Sequence, residues 1–317
     1  MPADIHPSSI HLDDHGPQGT ASTAAAASPS TVRDGARRPA RWARSTWVRL
    51  AVLFVAMLGV DAIAGGINKV ADATPLTALI GGVATGGLAL AAYLWLVRHL
   101  EGRTRLEELA PARARPELRR GFLVGLGLFA VTIALVAMTG GYHVRGWGSF
   151  GGALTTLGLM SCVAVTEELA FRGALFRVLE EKTGTWGALV VSGLAFGGLH
   201  LVNQHATLTG ALAIAVEAGL MFGAVYAATR SLWLPIGIHL GWNLAEQGVF
   251  GTTVSGSDTR TGGLLHATVT GPHTLTGGSF GPEASIFAVL VCLVPTVLFL
   301  LMAKRRGRLR PRPARKH

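Results

Sequence analysis

Four side chains in three apolar stretches have the chemistry to hydrolyse a peptide bond. They are Glu167 in TEELAFRG, His200 at the end of FGGLH, and His239 with Asn243 in HLGWN. Glu168 and Arg172 are four residues apart, so a helix puts them on one face as an ion pair. Glu167, about 100° further round, is then a carboxylate without that partner. Such a group can take a proton from water as a general base. His200 can orient the water. His239 and Asn243 can face the oxyanion that forms, where aimed donors usually give the largest catalytic effect. Phe196 and His200 share a face at the same four-residue spacing.

A second version gives these residues a metal. Zinc on His200, His239 and Glu167 would activate a bound water. The chain lacks the HExxH pattern of soluble zinc proteases, and asparagine is a poor zinc ligand. Each motif also has a plainer reading. The ion pair can simply lock helices, the histidine at a helix end can be packed, and His239 with Asn243 can bridge helices at about 0.6 kcal/mol. Cys162 and Cys292 lie in apolar runs, where a thiol is more often a small packing residue than a nucleophile.

The elements that must position these groups are membrane spans. Half of the 317 residues are hydrophobic and only 15% are charged, against about 25% charged in soluble domains. Apolar runs of bilayer length fall at about 47–67, 76–97, 121–138, 149–181, 186–204, 208–229, 231–250 and 284–303. The expected fold is all-α: a polytopic transmembrane bundle of about eight spans. Residues 1–45, rich in Ala, Ser, Thr and Pro, read as a disordered tail. Residues 46–303 form the membrane domain, with its motif core at 148–250, and 304–317 a basic C-terminal tail.

Arginines concentrate before the first span, after the second, near Arg177 and Lys182, at Arg230 and in the C-terminal tail. The alternate loops are nearly bare. Both termini are therefore expected in the cytoplasm. The net charge of +10 points to anionic lipid at these flanks and not to nucleic acid. The segment from Glu101 to Gly121, basic with interspersed Leu, fits an amphipathic surface helix. The Gly- and Thr-rich stretch 251–282 reads as a flexible outer loop.

Depth brings the motifs together. Glu167 lies 14 residues before the fourth-to-fifth turn and His200 lies 14 after it, if that turn runs from Glu181 to Trp186. Both then sit roughly 21 Å above the turn, with Asn243 at roughly 18 Å. The fourth span is long enough that it must tilt, break near Gly173 or protrude. Glycines such as Gly81, Gly82, Gly86, Gly87, Gly121, Gly125 and Gly127 are expected at helix contacts. Asp61, Glu217 and Glu246 are further intramembrane acids that could reach the cavity.

The three motifs, in this order, resemble the CPBP family (CAAX protease and bacteriocin-processing, also called Abi). EELAFR resembles its EExxxR motif, FGGLH its FxxxH, and SLWLPIGIHLGWN its HxxxN preceded by a Trp-Pro turn. The resemblance covers roughly Gly148 to Phe250. It implies an intramembrane endopeptidase of the glutamate-dependent, CAAX prenyl endopeptidase type, classed with metalloproteases, in a bacterial plasma membrane. Glu167 would activate water with His200 as partner, His239 and Asn243 would form the oxyanion side, and Glu168 and Arg172 would hold the helix. The substrate would be a membrane-associated peptide or lipidated protein, met from the cytoplasmic side or from lipid. A secondary transporter and a non-catalytic immunity or scaffold protein are the rival readings. Midplane acids also serve proton relays, but no internal repeat marks a transporter.

Overall fold

In lipid every backbone polar group needs a partner within the chain, so the long uncharged runs of this sequence become helices. The structure is a computed structural model and describes residues 45–257 and 262–314. The N-terminal tail falls outside the described residues, apart from its last position. The helices are α1 (Thr46–Ala71), α2 (Pro75–Glu101) and α3 (Pro111–Met138). Strand β1 (Tyr142–Trp147) precedes α4 (Phe150–Glu168), α5 (Arg177–Leu199), α6 (Leu208–Ile214), α7 (Met221–Thr229) and α8 (Trp233–Asn243). Strand β2 (Leu265–Val269), the single turn α9 (His273–Thr276) and α10 (Ile286–Arg305) complete the chain.

Three π-helical stretches join these helices without a break. Leu169–Phe176 links α4 to α5, Ala215–Leu220 links α6 to α7, and Leu244–Val249 prolongs α8. Six helices among the described residues are long and apolar enough to cross a membrane. One of them, Phe150–Val202, has 53 residues and turns back at Gly184, whose φ of 70° is open to glycine and strained for other residues. The chain therefore does not break near Gly173. It widens there into a π-helix and turns later. α8 with its π-helical extension stays below the length of those six. The fold is a polytopic helical bundle whose outward faces carry apolar side chains such as Val55, Leu88 and Leu298, as contact with lipid requires.

Glycines set the closest helix crossings. Gly121 and Gly125 of α3 lie against the α8 backbone between Leu234 and Trp242, while Gly237 and Gly241 of α8 lie against Leu118 and Phe122. Two small-xxx-small faces thus meet, and the backbones approach as side chains would forbid. Gly82 of α2 and Gly158 of α4 do the same. Gly87 and Gly127 are exceptions to the packing expectation, with nothing near the space a side chain would take.

The two ends of the bundle differ. The arginine-rich end is closed by ion pairs. Glu101 meets Arg177 at 2.8 Å and Arg49 at 3.4 Å, Arg103 meets Glu108 at 2.7 Å, and Arg49 also meets Glu181. Glu180 takes hydrogen bonds from Thr185 at 2.6 Å and from both terminal nitrogens of Arg230 at 2.5 and 2.9 Å. The expected surface segment after α2 is only briefly helical at Glu107–Leu109, and from Pro111 its residues belong to α3. The first residues of the basic C-terminal tail cross this end: Arg308 donates to the Ala228 carbonyl, and Arg310 pairs with Thr185 through its backbone.

The opposite end corrects the expectation of a flexible loop at 251–282. Strand β2 pairs antiparallel with β1, from Tyr142 against Val269 to Trp147 against Leu265. Gly148 and Ser149 extend this pairing to the carbonyls of Leu264 and Gly263. The fold is thus mostly helical with a small two-stranded ribbon, and not wholly α.

Candidate functional site

Glu167, Glu168 and Arg172 sit where α4 passes into its π-helical turn. A π-turn carries one residue too many for the α ladder and releases backbone carbonyls, a feature common at functional sites. Arg172 is fully buried and pairs with Glu168 at 2.8 Å. Its other terminal nitrogen donates to the carbonyls of Ala218 and Gly219 at 3.1 Å, both in the second π-helical stretch. The guanidinium lies between two rings, 4.7 Å from the centre of Phe196 and 5.0 Å from that of Phe222. Arg172 therefore ties three helical segments together at one point. Arginine suits this place because its planar charge can stack and donate in several directions at once.

His239 is the next link. Its Nδ1 is 3.2 Å from Glu168 Oε1 and its Nε2 is 3.9 Å from Glu167 Oε2. The ring stacks on Phe222, with centres 5.1 Å apart. Glu167 Oε2 is buried and has no hydrogen-bond partner among the described residues. Its neighbour Thr166 is held instead by Asp61 of α1, which accepts the Thr166 hydroxyl hydrogen bond. So Asp61 serves a helix contact beside the site.

His200 ends α5, and its Nδ1 contacts the Phe196 carbonyl at 2.8 Å, so Nε2 is the nitrogen left for chemistry. Phe196 lies 4.9 Å from the His200 ring and 6.2 Å from that of His239. One edge of Phe196 therefore spaces the two imidazoles. Asn243 closes α8 and directs its amide to Met160 Sδ at 3.4 Å.

His200, His239 and Asn243 wall one small cavity, together with Glu217, Ser255 and Glu283. Its interior has room for about one water. Glu167 stands beside His239, behind this wall. The structure thus joins Glu167 to His239 by contact, and His200 to His239 and Asn243 by a shared cavity. Among the described residues no three His, Cys, Asp or Glu side chains are grouped to hold a metal ion. His200, His239 and Glu167, the residues that would hold a zinc, are not drawn together as a ligand set among the described residues.

Some site residues are not evident from sequence. Phe222 and Met221 line the site but are apolar among apolar neighbours. Ser255 adopts φ 52°, unusual for a residue with a side chain, and Glu283 lies just before α10. Glu217 does reach the cavity and accepts from the Cys292 thiol at 3.4 Å. Glu246 is fully buried and keeps both oxygens without a hydrogen-bond donor. Cys162 is buried and unpaired by any disulfide.

Fold and site together define a class: a polytopic helical membrane protein with buried glutamate, histidine and asparagine at converging helices. Residues 147–245 match the family described as "Type II CAAX prenyl endopeptidase Rce1-like". The chain is also similar to the "Putative membrane peptidase YdiL" of Bacillus subtilis (strain 168), with 35% identity over 79 residues. That stretch is 25% of this chain, and it spans 30% of the relative's length. No solved structure matches. All three motifs fall inside 147–245.

Proposed function

We propose that the protein is an intramembrane, glutamate-dependent endopeptidase of a bacterial plasma membrane. It crosses the bilayer eight times with both ends cytoplasmic, the turn at Gly184 separating two crossings and α8 with its extension forming another. A membrane-associated peptide or lipidated protein is the substrate, and the arginine-rich flanks meet anionic lipid. Support comes from the matched family, from the likeness to a membrane peptidase of Bacillus subtilis, and above all from one contact. Glu167 presents a buried, unpartnered carboxylate oxygen 3.9 Å from His239, beside a cavity of one-water size.

In this reading Glu167 takes a proton from the attacking water, whose oxygen bonds to the substrate carbonyl carbon. His200, through Nε2, orients that water. His239 and Asn243 face the carbonyl oxygen as it gains negative charge. Glu167 then returns the proton to the leaving amine as the C–N bond breaks. Glu168 and Arg172 act as positioning residues, since Glu168 holds His239 and Arg172 holds Glu168.

The test is cleavage of a membrane-tethered peptide library by purified protein, with and without a chelator. Glu167→Gln should cost about 10²–10⁴-fold in rate, the range for removing a general base, with its unfolding midpoint unchanged. His200→Ala should also lose rate. Full activity in Glu167→Gln would overturn this reading. Loss of activity to the chelator would restore the metal version.

A further inference from the structure

The end of the bundle away from the arginines carries a second, much larger space. It is an open groove of about 1780 Å³, and every residue from Leu265 to Thr270 lines it. Thr252, Thr253 and Gln247 also line it. Gly251, on the same groove, sits against the Leu265 carbonyl and near the Ala267 nitrogen.

The ladder fixes which backbone groups face it. Thr270 N–H donates to the Gly141 carbonyl, and Tyr142 lies opposite Val269. Antiparallel pairing alternates, so Thr268 bonds towards β1 while Ala267 and Val269 turn their N–H and C=O groups away from it. Among the described residues no backbone group of Ala267 or Val269 meets a partner on that outer side. A free strand edge is a template for an extended chain, and strand addition is a recurring mode of peptide recognition.

The groove and the cavity of the site share no lining residue, but their linings lie close along the chain. Gln247 on the groove is four residues beyond Asn243 on the cavity wall. Thr253 on the groove is two residues from Ser255 on the cavity. Ser255 is held in its strained conformation by neighbours on both sides: its carbonyl accepts from Asn203 at 2.6 Å, and Gly256 bonds His205 and Phe280 through its backbone. Strain kept in place by several contacts marks segments with a task. At the arginine end the described residues are tied together by ion pairs and by the C-terminal crossing.

We propose that the substrate enters from the β1–β2 end, and that an extended stretch of its backbone pairs with the free edge of β2 as a third strand. The strand then feeds towards the cavity between His200 and Asn243. This differs from the approach from the cytoplasmic side or from lipid that the sequence suggests, and it rests on the proteolytic reading above. The recognised chemistry is peptide backbone in extended form, with side-chain preference left to the threonines and histidines along the groove.

Two measurements test it. For direction, Ser255→Cys is labelled with a small charged methanethiosulfonate in sealed vesicles of either orientation, with Arg145→Cys and Arg120→Cys reporting which end faces the medium. Labelling should be at least about tenfold faster where the β1–β2 end is outside. Equal or faster labelling from the arginine end overturns the proposal. For the edge, a biotinylated, photo-crosslinking library of twelve-residue random peptides is offered to the Glu167→Gln protein. Capture should fall at least about fivefold with Ala267→Pro, which removes the free N–H, and should persist with Ala267→Gly. Backbone N-methylated peptides offered to the Glu167→Gln protein should lose capture equally, so the test survives if the proline variant fails to fold. Unchanged capture in both cases overturns the proposal, as does a shift from dimer to monomer in Ala267→Pro, which would give the edge to a second copy. Capture that behaves as expected, in a protein that cleaves no member of the library, would instead refute the proteolytic reading alone.

Discussion

Buried carboxylates occur at both levels of this bundle, and they are treated in opposite ways. At the arginine end Glu101, Glu108 and Glu180 each face one or more guanidinium groups at salt-bridge distance, although Glu101 Oε2 also lacks a hydrogen bond. Around the site, Glu167 Oε2, Glu168 Oε2, both oxygens of Glu246 and Glu283 Oε1 are buried without a hydrogen-bond donor. A buried polar atom without a partner costs about 1–3 kcal/mol. Keeping several in one place is unlike what packing alone selects. The contrast teaches that the first group closes the bundle and the second is held ready for a substrate or water.

The largest effect should come where the two treatments meet. Arg172 is a buried cation within the unsatisfied region, with both terminal nitrogens hydrogen-bonded and its Nε left without a partner. Arg172→Met strands Glu168 in the interior, and breaking a buried pair from one side costs about 3–5 kcal/mol. Unfolding by SDS titration in mild detergent measures it. A loss below about 1 kcal/mol would show that the Glu168–Arg172 pair is not the tie it appears to be in this geometry, and would blur the comparison.

Next comes Glu180 at the arginine end. Its carboxylate takes hydrogen bonds from Thr185 and Arg230, with Arg310 at 3.6 Å. Glu180→Gln should lose about 1.5–3 kcal/mol, the worth of hydrogen bonds to a charged group. The same titration should show the turn at Gly184 opening earlier, read as faster proteolysis after Arg177 or Lys182.

The pH dependence of stability sharpens the arginine end further. Burial pushes the Glu108 carboxyl up, but hydrogen bonds and charge from Arg103, with the charge of Arg177, outweigh it and hold the group below the ordinary carboxylate value. A folded value below the unfolded one gives stability that is full above about pH 4.3, the ordinary value. It is lost as pH falls through the folded value. Arg103 is partly exposed, so solvent screening keeps the effect to about 1 kcal/mol or less. Glu108→Gln should therefore flatten the acid limb of the unfolding midpoint below about pH 4 and leave the neutral region nearly unchanged.

Much of this arrangement was legible because helices turn spacing into position. The four-residue interval from Glu168 to Arg172, and from His239 to Asn243, is a face in any helix. Similar distances from one turn placed the motifs at one depth. The π-helical stretches were not legible, because one extra residue in a ladder leaves no mark on apolar periodicity. A tilt, a break near Gly173 or a protrusion was expected from the length of this span; instead the widened helix offers the Gly173 carbonyl to Tyr93 at 2.9 Å and to Arg177 at 2.7 Å. The ribbon was hidden for another reason. Arg145 and Thr268 bond across 123 residues of sequence, and each strand is short and polar. Phe222 carries no signal at all, since an aromatic ring that stacks on His239 and Arg172 has the same letter as one that faces lipid.

The smallest change is the sharpest trial of the contrast. Glu246 is fully buried, and its foremost neighbours are the carboxyl and backbone of Glu283, with no cation among them. Glu246→Gln keeps the shape and adds two N–H donors from which the Glu283 Oε1 can accept. Stability should stay level or rise by up to about 2 kcal/mol, within the cost of an unsatisfied buried group. The same exchange at Glu180 goes the other way, because there the lost charge had arginine beside it. If Glu246→Gln instead destabilised the protein as much as Glu180→Gln, Glu246 would have a cationic or donor partner of its own. The site would then be one more structural knot, and the distinction between the two levels of the bundle would fall.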